Sequence, residues 1–348
     1  MANELNSLFF FGRPLGPLYG LIMKFRELLY TKQVFKQENP GAPVISVGNL
    51  VLGGTGKTPT VIHLAQMLQA AGLKPAVISR GYGGKSKATV NVVSDGKSIL
   101  MDATSAGDEP ILIAQSLVGV PVVTGKKRIF PARYAVDHLG ANIILLDDGF
   151  QHMAVSRDIN LVLFDASALA GNSRIFPGGP LREPVAALKR TSAFLITGQN
   201  KENKKRSDLF GALLQERFPE IPLYVSVLSE SIVVDQAENR VNVTGIKDAY
   251  AFCAIAQPDR VQSTLSDLGI NLVGSKAYQD HSPYDQQVIT ALCSQATEKK
   301  ARCLITTAKD FVKIKEYHFT LPLFVLQIKQ QPESAFNDYI LKNIPCKR

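Results

Sequence analysis

The sequence predicts an α/β fold. It is read as a phosphate-loop α/β/α sandwich, a second and smaller α/β unit after it, and an amphipathic helix ahead of both. Three observations carry that expectation. Residues 43–68, PVISVGNLVLGGTGKTPTVIHLAQML, read as strand, glycine loop and helix. Residues 142–148, NIILLDD, are an apolar run of strand length ending in two acids. From Tyr250 onward, short apolar runs again alternate with helical patterns, the pattern of βαβ units. At 348 residues the chain can hold two cores of ordinary size, and 45% hydrophobic against 20% charged residues is the balance of a globular protein.

In chain order, residues 1–40 come first. The longest charge-free stretches, 5–12 and 14–23, fall short of the ~20 apolar residues that span a bilayer. The first six residues carry Glu4 and no Lys or Arg, so a secretory signal is not expected. After Pro17, the side chains of Leu18, Leu21, Ile22, Phe25, Leu28 and Leu29 share one helical face, with Lys24, Glu27 and Thr31 opposite. Residues 7–37 hold five basic side chains and one acid. Such a helix, led by Phe9, Phe10 and Phe11, suits the headgroup region of a membrane. The alternative is a helix packed on the protein's own core.

The glycine loop is next. Backbone N–H groups around Gly53, Gly54, Thr55 and Gly56 can curl round phosphate oxygens, and the following helix aims its positive end at the same place. Lys57 would reach the terminal phosphates and the Thr58 hydroxyl would ligate Mg²⁺. Val51 stands where the strict G-x-x-x-x-G-K-[ST] pattern has glycine, and Leu52 where a related loop has lysine. Pro59 suits the first helical turn, which needs no donor there.

A second strand, 76–79, ends in Arg80-Gly81-Tyr82-Gly83-Gly84, which places Tyr82 at the carboxyl edge where α/β sheets bind ligands. Gly107-Asp108-Glu109-Pro110 opens an apolar helix from Ile111. Asp108 is there either as a cap or as a functional group. Arg128 closes a basic cluster, 125–128, that meets phosphate or forms a solvated turn. At the end of 142–148, Asp147 and Asp148 would be costly to bury without a cation, so they are the expected Mg²⁺ partners opposite Thr58. After a strand at 161–165, the Pro/Gly loop 176–184 holds Arg182, a guanidinium that suits a phosphate if the loop is more than surface.

The segments GNLVLGGTGKTP, SRGYGG, GDEP, LLDDGFQH and PGGPLREP, in this order between residues 44 and 184, resemble the tetraacyldisaccharide 4′-kinases of lipid A biosynthesis. In the second half, AFCAIAQP and DHSPY resemble further family segments, with Ala254 and Ala256 for glycines and Ser282 for a histidine. TTAKD stands where the family has TTEKD. The resemblance implies two α/β domains, 41–228 and 246–348, joined by a two-stranded linker at 229–245, where 231–234 and 240–243 read as a hairpin. It implies transfer of the γ-phosphate of ATP, with Mg²⁺, to the 4′-hydroxyl of a lipid disaccharide 1-phosphate at the cytoplasmic face of the bacterial inner membrane. In that setting Asp108, paired with His281, is the expected proton acceptor, and Lys57, Arg128 and Arg182 are the expected phosphate cations.

Other classes remain to be weighed. After the strand at 194–197, Asn203 stands where a guanine-reading Asp would be needed. A net charge of +9 suits a membrane, a phosphorylated substrate or nucleic acid, but the basic residues are scattered and no nucleic-acid module is present, so nucleic acid is not an expected partner. A membrane-bound nucleotide switch would share the glycine loop and the amphipathic helix without needing Asp108 or His281. Cys253, Cys293, Cys303 and Cys346 lie far apart without metal spacing, as reduced cytoplasmic thiols would. No obligate protein partner is expected.

Overall fold

The computed structural model describes residues 9–345; Cys346 and residues 1–8 of the N-terminal segment lie outside the described residues. The first part of the chain runs α1 (Gly16–Thr31), β1 (Val44–Asn49), α2 (Lys57–Ala70), β2 (Pro75–Ser79), β3 (Asn91–Ser94), α3 (Ala103–Ala106), α4 (Asp108–Ser116), β4 (Val122–Thr124), α5 (Ile129–Leu139), β5 (Ile143–Asp147), β6 (Ile159–Asp165), β7 (Ala193–Gln199) and α6 (Lys204–Arg217). It continues with β8 (Leu223–Val234), β9 (Ala249–Cys253), α7 (Pro258–Asp267), β10 (Leu272–Ala277), α8 (Gln286–Glu298), β11 (Cys303–Thr307), α9 (Ala308–Ile314), β12 (Leu323–Pro332) and α10 (Ser334–Asn343).

β1, β5, β6 and β7 are mostly apolar and are buried along their whole length, which is how strands covered on both faces read. Alternation then sorts their side chains. Ile45 and Leu145 pack with Val61, Leu64 and Leu68 of α2 on one face, while Val44, Ile144 and Leu146 pack with Ile129, Ala132 and Ala135 of α5 on the other. The second half repeats the arrangement, with α8 supplying Ile289 and Leu292 on one side and α7 supplying Val261 and Leu265 on the other.

All twelve strands belong to one sheet, in the order β10-β9-β11-β12-β8-β7-β6-β1-β5-β2-β4-β3. Neighbours are parallel except β3 with β4 and β8 with β12. The β8/β12 ladder decides where the two halves meet. The end of β7, Gln199, is level with Val227 of β8. The end of β11, Thr307, is level with Leu326, which pairs with Val233. The two halves therefore hang on opposite ends of one antiparallel ladder. Their strands point at each other, with carboxyl edges about 20 Å apart at ~3.3 Å per residue.

The hairpin expected at 231–234 and 240–243 forms only its first rung. Val234 bridges Arg240 and Val241 N–H reaches Val233 O at 2.9 Å, after which the chain leaves in a 3₁₀ turn, Val243–Gly245. The long partner of β8 is β12, which pairs with it from Val234 back to Ser226. A turn that closes on the Asp235 side chain, whose Oδ1 accepts from Ala237 and Asn239 N–H at 2.9 and 2.8 Å, leaves the rest of the strand free for the longer ladder.

α1 rests on the Pro/Gly loop through its small residues. Gly16 and Gly20 are buried, and a Cβ on Gly12, just ahead of the helix, would lie 2.3 Å from Pro177 O. Tyr19 meets Phe176 edge-on at 5.8 Å. Arg190 joins Glu27 of the helix at 2.8 Å to the buried Glu183 at 2.7 Å. Leu18, Leu21, Ile22 and Phe25 face away from the protein, each about 60% exposed. Packing of these side chains on the chain's own core is therefore not what the structure shows.

Candidate active site

Backbone geometry shapes the glycine loop before any side chain does. α2 starts at Lys57, capped by Gly56 in the left-handed region at φ 73°, where only glycine is unstrained. A Cβ on Gly53 or Gly54 would meet no atom within 4 Å, so this side of the loop is open to a ligand. The opposite side is tightly held. Thr197 Oγ1 donates to Thr55 O at 3.0 Å, and Thr60 Oγ1 donates to Gly56 O at 2.8 Å and lies 3.2 Å from the Gln330 side-chain amide of β12. The Pro/Gly loop pairs with it as a short strand would: Leu52 N–H donates to Pro180 O and Arg182 N–H to Leu50 O, both at 2.8 Å. Arg182 is thus placed by backbone pairing.

The structure separates the two acids at the end of β5. Asp148 has φ 50°, a left-handed conformation uncommon outside glycine. Both of its oxygens are engaged: Arg182 Nη1 donates to Oδ1 at 2.8 Å and Oδ2 at 3.0 Å, and Lys57 Nζ is 3.5 Å away. Burial pushes its pKa up, but Lys57, Arg182 and Arg128 outweigh burial and hold it below the ordinary value. Asp147 is 1% exposed. Ser79 Oγ donates to its Oδ2 at 3.1 Å, while Oδ1 has no hydrogen-bond partner. Burial, followed by Glu109 and Asp148, raises its pKa to about 7.

An orphaned buried carboxylate oxygen is costly by itself and suits a hard cation. Among the described residues no group of three or more His, Cys, Asp or Glu side chains could hold a metal. Mg²⁺ at a phosphate loop, however, takes one or two protein ligands and completes its shell from phosphate and water. Asp147, with Thr58 in the first turn of α2, fits that requirement.

Arg128 is 5% exposed, a buried cation and not a solvated turn. Its Nη2 donates to Asp148 O at 3.3 Å and its Nη1 lies 3.2 Å from His152 Nδ1. Burial, then Arg128 and Arg157, pushes His152 down to about 3, so its ring is an uncharged acceptor. Arg182 Nη1 also reaches Gln151 Oε1 at 3.3 Å.

Asp108 is the first residue of α4, and its cap is Gly107 at φ 96°, so it is not the cap its neighbours in sequence suggest. Its Oδ2 lies 3.2 Å from His281 Nδ1, 173 residues along the chain. Tyr82 covers the His281 ring edge-on at 5.3 Å. α9 adds groups whose roles the sequence reading left unassigned. Lys309 Nζ lies 3.1 Å from His281 Nε2, 3.2 Å from Asp280 and 3.4 Å from Glu109. Lys313 Nζ lies 3.6 Å from Asp108 and 3.0 Å from Asp310. The TTAKD segment was the available signal, and a lysine on a short helix says nothing about its target until the halves are placed.

The side chains gathered between the two edges are charges and hydrogen-bond groups arranged around a phosphate loop, which is the equipment of a kinase. A family model, LpxK: Tetraacyldisaccharide-1-P 4'-kinase, matches residues 8–345. The tetraacyldisaccharide 4'-kinase of Desulfotalea psychrophila is 46% identical over 340 residues, 98% of each chain. That of Syntrophus aciditrophicus is 37% identical, covering 93% of this chain and 90% of its own. The crystal structure of LpxK from Aquifex aeolicus in complex with ATP superposes with a TM-score of 0.74 at 27% identity, over 95% of this chain and 98% of that one. The chain belongs to the tetraacyldisaccharide-1-P 4'-kinase family.

Proposed function

We propose that the chain transfers the γ-phosphate of ATP to the 4′-hydroxyl of a tetraacyldisaccharide 1-phosphate, working against the cytoplasmic face of the inner membrane. One observation carries the reading beyond family membership: Asp108 meets His281 at 3.2 Å at the same carboxyl edge as the open glycine loop. Loop N–H groups around Gly53, Gly54, Thr55 and Gly56 hold the phosphates, and Lys57 neutralises the terminal ones. Arg128 and Arg182 flank the transferred group. Tyr82, 64% exposed, lines the nucleotide side.

Thr58 and Asp147 would hold Mg²⁺. Asp148 assists by fixing Lys57 and Arg182, because its oxygens are already committed to them. Bound there, the metal supplies charge neutralisation on the phosphates. The acceptor oxygen attacks the γ-phosphorus, the bond to ADP breaks, and the hydroxyl proton passes to Asp108. Most of the rate comes from positioning and charge.

Two further features support the setting. The exposed face of α1 suits a lipid surface, and among the described residues no helix is long and apolar enough to cross a membrane. The β8/β12 ladder is the main connection between 41–228 and 246–348, and it is where the two parts would hinge as substrates bind. The test is transfer of labelled γ-phosphate from ATP to a tetraacyldisaccharide 1-phosphate in detergent micelles, with Lys57→Ala as control. Product that vanishes in the variant supports the proposal. ATP hydrolysis stimulated by bare vesicles, with no lipid product, replaces it with the nucleotide-switch reading.

A further inference from the structure

Resting on the assignment of Asp108 above, we infer that Lys309 is a positioning residue that fixes His281 as its Nδ1–H tautomer. His281 then donates to Asp108 and has no free nitrogen with which to take a proton from it.

Donor and acceptor inventory decides the tautomer. Lys309 Nζ lies 3.1 Å from His281 Nε2. An ammonium has three donors and no acceptor, so Nε2 must offer its lone pair. A neutral imidazole carries one N–H, which is then at Nδ1, 3.2 Å from Asp108 Oδ2, and a carboxylate accepts there. The opposite tautomer would aim an N–H at the ammonium and set two lone pairs against each other across the Asp108 contact. Only the Nδ1–H form satisfies both contacts together.

The surroundings hold this arrangement from every side. Lys309 is 17% exposed. Burial pulls its pKa down, but Glu109 of α4 and Asp280 outweigh burial and raise it, which keeps the ammonium charged. His281 is faced by Asp108 from α4, by Lys309 from α9, by the Tyr82 ring from the turn after β2, and by Asp280 of its own loop, 3.9 Å from Nε2. Behind Asp108 stands Lys313, 8% exposed and 3.6 Å away, itself held by Ser282 O at 3.0 Å and by Asp310. Lys309 and Lys313 lie one turn apart on α9 and take up neighbouring acids of α4, Glu109 and Asp108. The helix of one half thus holds its own half's imidazole against the acid of the other.

For the reaction this fixes where the proton goes. As the acceptor hydroxyl loses its O–H bond, the new O–H bond forms on Asp108. The proton then leaves from Asp108 to solvent and does not pass into the ring, because the only unprotonated nitrogen of His281 faces Lys309.

The experiment is two-bond ¹H–¹⁵N correlation spectroscopy on the full chain labelled at histidine, with the His281 signals assigned by their loss in His281→Asn. The expected pattern has a protonated Nδ1 and an unprotonated Nε2. Lys309→Met is expected to shift that pattern toward Nε2–H and to lower kcat on the order of ten-fold, with the KM for ATP unchanged. Lys309→Arg, also a donor-only cation, is expected to restore both pattern and rate. Protonated Nε2 in the unmodified chain would overturn the inference, as would a Lys309→Met spectrum identical to it. Full turnover in Asp108→Asn would instead sink the assignment of the proton acceptor, with the tautomer measurement standing on its own.

Discussion

The two carboxyl edges that face each other across the ladder are built by different means. The edge of β1 and β5 presents backbone. Its cradle is a run of glycines, its positive end is the start of α2, and its charged side chains, Lys57, Asp147 and Asp148, sit within a residue or two of a strand or helix end. The edge of β10 and β11 works with side chains, His281, Lys309 and Lys313, each locked by a partner on α4. Holding phosphate asks only for local geometry, since several N–H groups in one turn suffice. Joining a carboxylate to an imidazole asks for groups from separate elements at hydrogen-bond distance, and the chain brings Asp108 from its first half and His281 from its second.

Predictions follow from trying to break one edge while sparing the other. Lys57→Ala removes the cation of the first edge and is expected to lower lipid phosphorylation by about 10³-fold or more; transfer of labelled phosphate would show it, and a rate near that of the unmodified chain would remove the phosphate-loop assignment. Asp108→Asn strikes the contact between the edges, where α4 of the first half meets His281 of the second. It is expected to cost about 10²-fold in kcat while nucleotide affinity, followed by equilibrium titration, stays as it was. A parallel loss of affinity would mean that the two edges are not separable in function.

The third prediction concerns the face of α1 that neither edge uses. Leu21→Asp with Phe25→Asp is expected to weaken binding to anionic vesicles by at least about ten-fold, since burying each side chain contributes roughly 1.5–3 kcal/mol. Folded stability should shift by no more than ~0.5 kcal/mol, because both positions are exposed. Undiminished vesicle binding would remove the membrane reading of this face.

The smallest effect sharpens the contrast within the first edge. Burial, followed by Glu109 and Asp148, pushes the Asp147 carboxyl up from the ordinary 3.8 to about 7. Between those values the folded state keeps a proton that the unfolded state has released, so this group's contribution to stability falls as pH rises through that window. In metal-free buffer Asp147→Asn is therefore expected to raise the melting temperature at about pH 8 and to change it little at about pH 4. Calorimetry at the two pH values decides it, and equal shifts at both would refute the burial argument. Asp148, held below its ordinary value by Lys57 and Arg182 in spite of burial, is expected to behave in the opposite sense.

Legibility in the sequence divides along the same line. The glycine loop, the acids after β5 and the buried strands of the first half were readable because each is written within a few neighbouring residues. Arg128 was visible as a charge, but its burial was not, since a basic cluster after a strand looks alike whether it points inward or to water. The roles of Asp147 and Asp148 were equally hidden: they are adjacent in sequence, and only the left-handed backbone of Asp148 turns one toward Arg182 and leaves the other with an orphaned oxygen. The long partner of β8 was not legible for a related reason. A nearby hairpin is the cheaper closure in sequence, and the long ladder with β12 forms from a segment about a hundred residues away.

What the sequence determined alone was the material of the site: a glycine loop at a helix start, whose backbone N–H groups suit an anion, and strands whose apolar runs demand cover on both faces. The tertiary structure decided which way the second half points. Asp108 and His281 are 173 residues apart, and no local preference links them. They meet because β8 and β12 pair antiparallel in a register that turns the two carboxyl edges toward each other. That register is set by side-chain packing on both faces of a twelve-stranded sheet, a sum over the whole fold and not a property of any short segment.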